Sequence, residues 1–243
     1  MSRFFVDPSD VTDRYIYMTD AGDLKHMKKV LRMSVGDELD ISDGAAWEYH
    51  VQIESMDGDE AKLLILDKQK FAREPELQVT LYQGVPKAGK MEGIIQKCVE
   101  LGIDRIVAVS TERAIVKLDK KEAKKLERWQ KIAEAAAKQS GRGKIPEIGQ
   151  QVLKFKEAVA EAKTLDGAII PYEKEQETGI RQFAEKFQGE SIGVFIGPEG
   201  GFAEEEIALA QENGITPITL GKRILRTETA GMTTVAILLY ELD

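Results

Sequence analysis

Hydrophobic and polar positions alternate with a period close to two along the first 70 residues. "RYIYM", "DELDIS", "WEYHVQIESM" and "EAKLLILD" carry this alternation, which is the signature of half-buried strands. Asp43-Gly44 and Asp57-Gly58 punctuate them as turns. Between the first two runs, "DAGDLKHMKKVLRM" switches to helical spacing: Leu24, Met27 and Leu31 share one face, and Asp20 is placed to cap the start. Short strands with one helix predict a small β-barrel over residues 1–70. The polar stretch "DKQKFAREPE" predicts a linker.

After the linker the rhythm changes. Apolar runs "LQVTLYQ", "RIVAVS", "DGAIIPY", "SIGVFIG" and "ITPITLG" alternate with helical segments, which predicts an α/β domain with a parallel sheet over residues 71–243. One long helix is expected from near Asp119 to about Gln139, burying Leu126, Trp129, Ile132, Ala133 and Ala136. The last segment, "ETAGMTTVAILLYEL", is apolar on most sides. Such a helix belongs deep against the sheet or between subunits.

Composition narrows the class. The chain has 243 residues, 42% hydrophobic and 31% charged, as expected of a soluble protein with one large domain or a large and a small one. No apolar run approaches the roughly 18 residues of a membrane helix, and "MSRFFVDPSD" lacks a signal-peptide core. A single cysteine, Cys98, excludes an internal disulfide and fits a reducing cytoplasm. Two histidines and one cysteine without ligand spacing argue for no metal site. The net charge of −8 hides an asymmetry. Lys plus Arg against Asp plus Glu stand at 9 to 15 in residues 1–72, 16 to 10 in residues 73–146, and 9 to 17 in residues 147–243. Local fields steer polyanions, so the basic middle is where a nucleic acid is expected to bind. Lys120, Lys121, Lys124 and Lys125 are read only as the solvated face of one helix.

Three strand–loop–helix junctions carry the candidate chemistry. "GVPKAGKM" fits the phosphate-binding pattern G-x-x-x-x-G-K-[ST] except at its last position. Met91 replaces the hydroxyl that would hold Mg²⁺, and Pro86 removes one backbone N–H. What remains is a basic loop, with Lys87 and Lys90 suited to RNA phosphates. In "IGPEGGFAEEE", Gly197, Gly200 and Gly201 offer bare backbone for a close ligand approach. Glu199 and the acidic start of the next helix disfavour phosphate there and favour a neutral or cationic ligand. In "LGKRILRTETAGMTT", Thr227 or Thr229 can cap a helix. Leu220, Ile224 and Leu225 suggest the wall of a pocket for a flat aromatic group.

These motifs, with "STERAIVK" and "RWQKIAEAAAKQSGR", resemble the RsmE family of bacterial enzymes that methylate N3 of a uridine in 16S ribosomal RNA using S-adenosylmethionine. The likeness spans nearly all of the α/β part, and the layout of residues 1–70, with "RFF" near its start, resembles the family's PUA-like RNA-binding barrel. The resemblance implies a SPOUT-type fold with a C-terminal trefoil knot, and a homodimer acting on the small ribosomal subunit. It implies a cofactor site made by Ile170, Pro171, Gly197, Pro198, Glu199, Gly200, Gly201, Leu220, Gly221, Ile224 and Leu225. Methylating a ring nitrogen needs its proton removed and the resulting charge stabilised. Arg226, then Arg223, are the candidate cations. Glu228 is the candidate base, with water as its rival and a structural Arg–Glu pair as the alternative, because His26 and His50 both fall in the barrel. Contacts to RNA are expected from Arg3, Lys87, Lys90, Arg113, Arg142 and Arg223. A nucleotide hydrolase using "GVPKAGKM" and a non-catalytic RNA-binding protein are the competing readings.

Overall fold

A computed structural model describes residues 3–87, 89–114 and 122–243. It divides into two compact units, the first comprising residues up to Glu74 with Ala137–Ile145, the second Pro75–Ala136 with Pro146–Asp243.

The first unit contains β1 (Arg3–Phe5), β2 (Tyr15–Met18), α1 (Ala21–Lys25), β3 (Glu38–Ser42), β4 (Trp47–Asp57) and β5 (Glu60–Lys70). They form a five-stranded sheet of order β1-β3-β4-β5-β2, antiparallel except for β1 beside β3. The period-two alternation places Ile16, Met18, Leu39, Ile41, Val51, Ile53 and Leu63 in one core with Leu24 and Met27 of the helical segment. Asp20 caps α1 by accepting from the Asp23 N–H at 2.7 Å. The helix does not run on regularly. From His26 to Leu31 it widens into a π-turn, closed by Arg32 in the left-handed region (φ 56°). The expected linker is half strand, since β5 continues to Lys70 paired with Trp47.

The segment Ala137–Ile145 is tied to this unit by the buried Glu74 carboxylate, by Ser42 and by Lys138, whose Nζ lies 2.7 Å from Asp23 Oδ1. Glu74 accepts from the Arg142 guanidinium at 3.2 and 2.5 Å and from the Gly143 N–H at 2.7 Å. Ser42 Oγ donates to the Gly143 carbonyl.

The second unit holds β6 (Gln78–Gly84), α2 (Lys90–Leu101), β7 (Arg105–Ser110), β8 (Glu147–Ile148), β9 (Leu153–Lys154), α4 (Phe155–Ala162), β10 (Gly167–Pro171), α5 (Ile180–Ala184), β11 (Ser191–Ile196), α6 (Glu204–Glu212), β12 (Thr216–Ile218) and α7 (Thr227–Leu242); α3 (Glu122–Ser140) starts in it. All its strands are parallel, in the order β12-β10-β11-β6-β7-β8, with β9 also on β7. The expected strands are present, and β8 and β9 are two-residue additions too short to show a period. On one face, Tyr82 stacks on Phe195 (centroids 4.5 Å apart) beneath α4 and α6. The last helix packs against α2, α5 and β11, burying Val235 and Leu238, while Tyr240 stays exposed. Helix α3 buries Leu126, Trp129, Ala133 and Ala136 as expected, with Ile132 only half-buried. Its expected start at Asp119, with Lys120 and Lys121, lies outside the described residues.

Candidate functional site

The C-terminal ends of β10, β11 and β12 open into a cup of about 890 Å³. Ligands of open α/β sheets sit at such edges. Its walls are the two glycine junctions read from the sequence: Gly197 to Phe202 on one side and Thr219 to Thr227 on the other, with Pro171 and Tyr172 between. Gly201 takes φ 67°, and its N–H donates to the Pro198 carbonyl at 2.9 Å, closing a tight turn. Gly197 serves by close approach: a Cβ there would lie 3.1 Å from the Gly201 backbone.

Of the expected cofactor residues, Pro171, Gly197, Pro198, Glu199, Gly200, Gly201, Leu220, Gly221, Ile224 and Leu225 all line the cup. Ile170 does not. It is fully buried in the core under α4 and α6, because alternation along β10 turns its side chain away from the rim. Ile224 is 89% exposed, an apolar side chain held over the opening rather than packed.

One hydrogen-bonded chain joins two strand ends to the start of α7. Gln83, fully buried at the end of β6, donates through Nε2 to Thr227 Oγ1 at 2.9 Å and to the Gly84 carbonyl at 3.0 Å. Thr227 Oγ1 in turn donates to the Gly197 carbonyl at 2.6 Å. Thr227 is thus not the cap of α7; Arg226 occupies the N-cap position without a side-chain cap bond. The only sequence signal for Gln83 is a polar residue closing the strand run "LYQ". Tyr172, Glu173, Ile196, Phe202 and Lys222 also line the cup, without a motif of their own that marks them in the sequence.

The basic loop does not work as a phosphate cradle. Met91 is buried, 3% exposed, and the Lys87 N–H donates to both oxygens of Glu199 at 3.2 Å. A carboxylate already occupies the backbone donor that a phosphate would use, so the nucleotide-hydrolase reading fails on geometry. Lys90 also points inward: its Nζ lies 3.0 Å from Glu199 Oε1 and 3.4 Å from Glu228 Oε2. Glu199 holds Lys90 above the usual lysine range, helped by Glu228 and opposed by partial desolvation. Burial pushes Glu199 upward but is outweighed by its own backbone N–H, by Lys90 and by the Lys87 N–H, so its carboxyl sits below the usual range. Glu228 Oε2 is buried and makes no hydrogen bond; at 3.4 Å Lys90 is an ion-pair neighbour only.

The expected cations separate into two groups. Lys87, Arg113, Arg223 and Arg226 are exposed, the last two on the cup's rim, and Arg113 donates to the Gly200 carbonyl at 3.2 Å. Arg3 and Arg142 lie elsewhere in the chain, 5% and 4% exposed. Arg3 makes a two-point pair with Glu48 at 2.6 and 3.1 Å, and Arg142 is locked on Glu74. Their donors are spent on buried carboxylates, so both are structural, a correction to the expectation of RNA contact. Glu206, expected only to suit a helix dipole, accepts from the Ala203 and Glu112 N–H groups, each at 2.9 Å, and fixes the turn before α6.

An RNA methyltransferase domain model matches residues 73–239, and an RNA methyltransferase PUA domain model matches residues 19–66. The ribosomal RNA small subunit methyltransferase E of Bacillus subtilis is 32% identical over 252 aligned positions, covering all of this chain and 98% of the relative. Its counterpart in Synechocystis is 33% identical, covering 94% of this chain and 74% of the relative. The crystal structure of ribosomal RNA small subunit methyltransferase E from Neisseria gonorrhoeae bound to S-adenosyl methionine superposes with a TM-score of 0.86 at 30% identity, covering 99% and 97% of the two chains.

Proposed function

Because the chain belongs to the RNA methyltransferase family that includes ribosomal RNA small subunit methyltransferase E, we propose that it methylates N3 of a uridine in 16S ribosomal RNA from S-adenosylmethionine. The observation that carries this reading is the cup itself. Its walls offer bare glycine backbone and apolar side chains beside the ionised Glu199, with no free phosphate cradle, and that fits an adenosine bearing a cationic sulfur. Pro171, the Gly197–Gly201 turn, Leu220, Gly221, Ile224 and Leu225 would hold the cofactor, which supplies an activated methyl group when bound.

The protein's own contribution is orientation and charge. Fixing two reactants in line contributes several kcal/mol to lowering a barrier. The Gln83–Thr227–Gly197 chain of bonds ties the cofactor turn to the first residues of α7. Arg226, exposed on the rim just before Thr227, is suited to stabilise the charge that develops on the uridine carbonyls. The proton leaving N3 goes to the Glu228 carboxylate or to water. Lys90 Nζ lies 3.4 Å from Glu228 Oε2 and places a positive charge beside that carboxylate.

The same reading assigns RNA backbone contacts to Lys87, Arg113 and Arg223, and RNA binding to the N-terminal PUA-like unit. It also carries a C-terminal trefoil knot, a homodimer that uses the apolar α7 with its exposed Tyr240, a small-subunit substrate and a cytoplasmic location. The direct test is transfer of labelled methyl from S-adenosylmethionine to small ribosomal subunits, followed by mass-spectrometric mapping. One N3-methylated uridine in 16S RNA is expected, and label on another base, or none, would reject the assignment.

A further inference from the structure

The barrel unit is acidic overall, yet one stretch of it is strongly cationic. Lys25, Lys28, Lys29 and Arg32 fall within eight residues, all exposed, on the helical turns whose opposite side buries Leu24 and Met27. Lys28 is engaged with the Gly58 carbonyl at 3.2 Å, beside the acidic turn at Asp57, Asp59 and Glu60. Lys25, Lys29 and Arg32 form no ion pair among the described residues.

Two backbone features single the segment out. It is a π-helical turn, a rare form that recurs at functional sites. It ends on Arg32, the one non-glycine residue with positive φ among those described. Glycine is the residue that fits such a helix end without strain, so a purely structural end does not call for arginine. A cation near a helix C-terminus gains from the dipole, which accounts for one such residue but not for a run of them that repel one another. Val30 and Val35, 67% and 64% exposed, leave apolar surface in the same stretch.

We propose that Lys25, Lys29 and Arg32, presented by the π-turn of the N-terminal unit, form a docking surface for the phosphate backbone of the substrate RNA. This rests on the reading of the protein as an RNA methyltransferase and adds a positioning surface separate from the cup. Such contacts orient an RNA without reading its sequence.

The test is RNA binding as a function of salt, using in vitro transcribed 16S RNA and the full-length protein. Each phosphate contact contributes roughly 0.7 to 0.9 to the slope of log K against log salt. Lys25→Gln/Lys29→Gln/Arg32→Gln should therefore flatten the slope by roughly 2 to 3, with S-adenosylmethionine affinity unchanged. Arg32→Gly keeps the proposal falsifiable if the triple variant folds poorly. It relieves the left-handed strain, so thermal stability should hold or rise while RNA affinity falls, a divergence that a structural role cannot produce. An unchanged slope, or stability and affinity falling together in Arg32→Gly, would overturn the surface. So would normal RNA binding with lost methylation of assembled subunits, which would point to a ribosomal protein as the partner. Wild-type protein that fails to bind the RNA would overturn the functional reading itself.

Discussion

The Thr227 hydroxyl donates to the Gly197 carbonyl at 2.6 Å while accepting from the buried Gln83 amide at 2.9 Å. Three chain segments far apart in sequence meet in those two bonds. Thr227→Val keeps the shape and removes the hydroxyl, leaving a buried donor and acceptor unpaired at a cost of about 1–3 kcal/mol. S-adenosylmethionine affinity and kcat should both fall by about tenfold or more, whereas Thr227→Ser should keep most of both. Calorimetric titration of the cofactor checks the first, and methyl transfer the second. Equal behaviour of the two variants would detach Thr227 from the site.

Arg142 sits in the barrel unit's buried clamp rather than on an RNA face. Its guanidinium and the Gly143 N–H share Glu74. Arg142→Ala strands that carboxylate in a buried place, and breaking a buried pair from one side costs about 3–5 kcal/mol. Urea denaturation should show that loss. The salt dependence of RNA binding by the folded fraction should not change, whereas an RNA contact would flatten it.

The elements were legible because their periods are strong. The alternation in "WEYHVQIESM" and the apolar run "SIGVFIG" leave little choice of structure, and glycine turns mark where strands end. Pairings across long stretches were not legible. Arg3 with Glu48, Arg142 with Glu74, and Lys90 with Glu199 are ordinary charged residues in sequence. Only the folded register decides whether such an arginine meets a carboxylate or solvent. Charge counted by segment hides the cationic turn around Lys29, because acidic residues of the neighbouring strands cancel it in the tally. The glycine-marked rim loops come together at the cup, whereas Ile170 is buried in the core because the strand's alternation turns it inward.

His50 offers a pH-dependent reporter of the barrel. Its Nδ1 lies 3.1 Å from Asp40 and its Nε2 2.9 Å from Glu38. A neutral imidazole can donate to only one of the two, so protonation completes the pair. The Asp40 and Glu38 hydrogen bonds raise the His50 pKa against a smaller desolvation effect. A raised folded-state value means the added stability is full below the unfolded value of about 6.5 and is lost as pH rises through the folded one. An NMR titration of the ring should report a midpoint above about 6.5, and His50→Gln should remove that part of the stability–pH curve. A midpoint at or below the free value would refute the arrangement.

Lys90 bridges two carboxylates, Glu199 of the cup's lining and Glu228 in the first turn of α7, which is not among the lining residues. It lies between Glu199, which also takes the Lys87 N–H, and Glu228, whose Oε2 is buried without a hydrogen bond. Lys90→Gln removes the cation that helps hold the Glu199 carboxyl below its usual range, and it takes the same charge from beside Glu228. If Glu228 accepts the N3 proton, it must be ionised to act, and the acid limb of kcat/KM against pH should move to higher pH. Lys90→Arg keeps the charge and should keep the limb near its original place. Were water the acceptor, the limb would stay put in Lys90→Gln while cofactor affinity changed through Glu199. A pH profile of the two variants, set beside that of Glu228→Gln, separates these cases, because only a carboxylate base makes the shift in Lys90→Gln and the collapse in Glu228→Gln appear together.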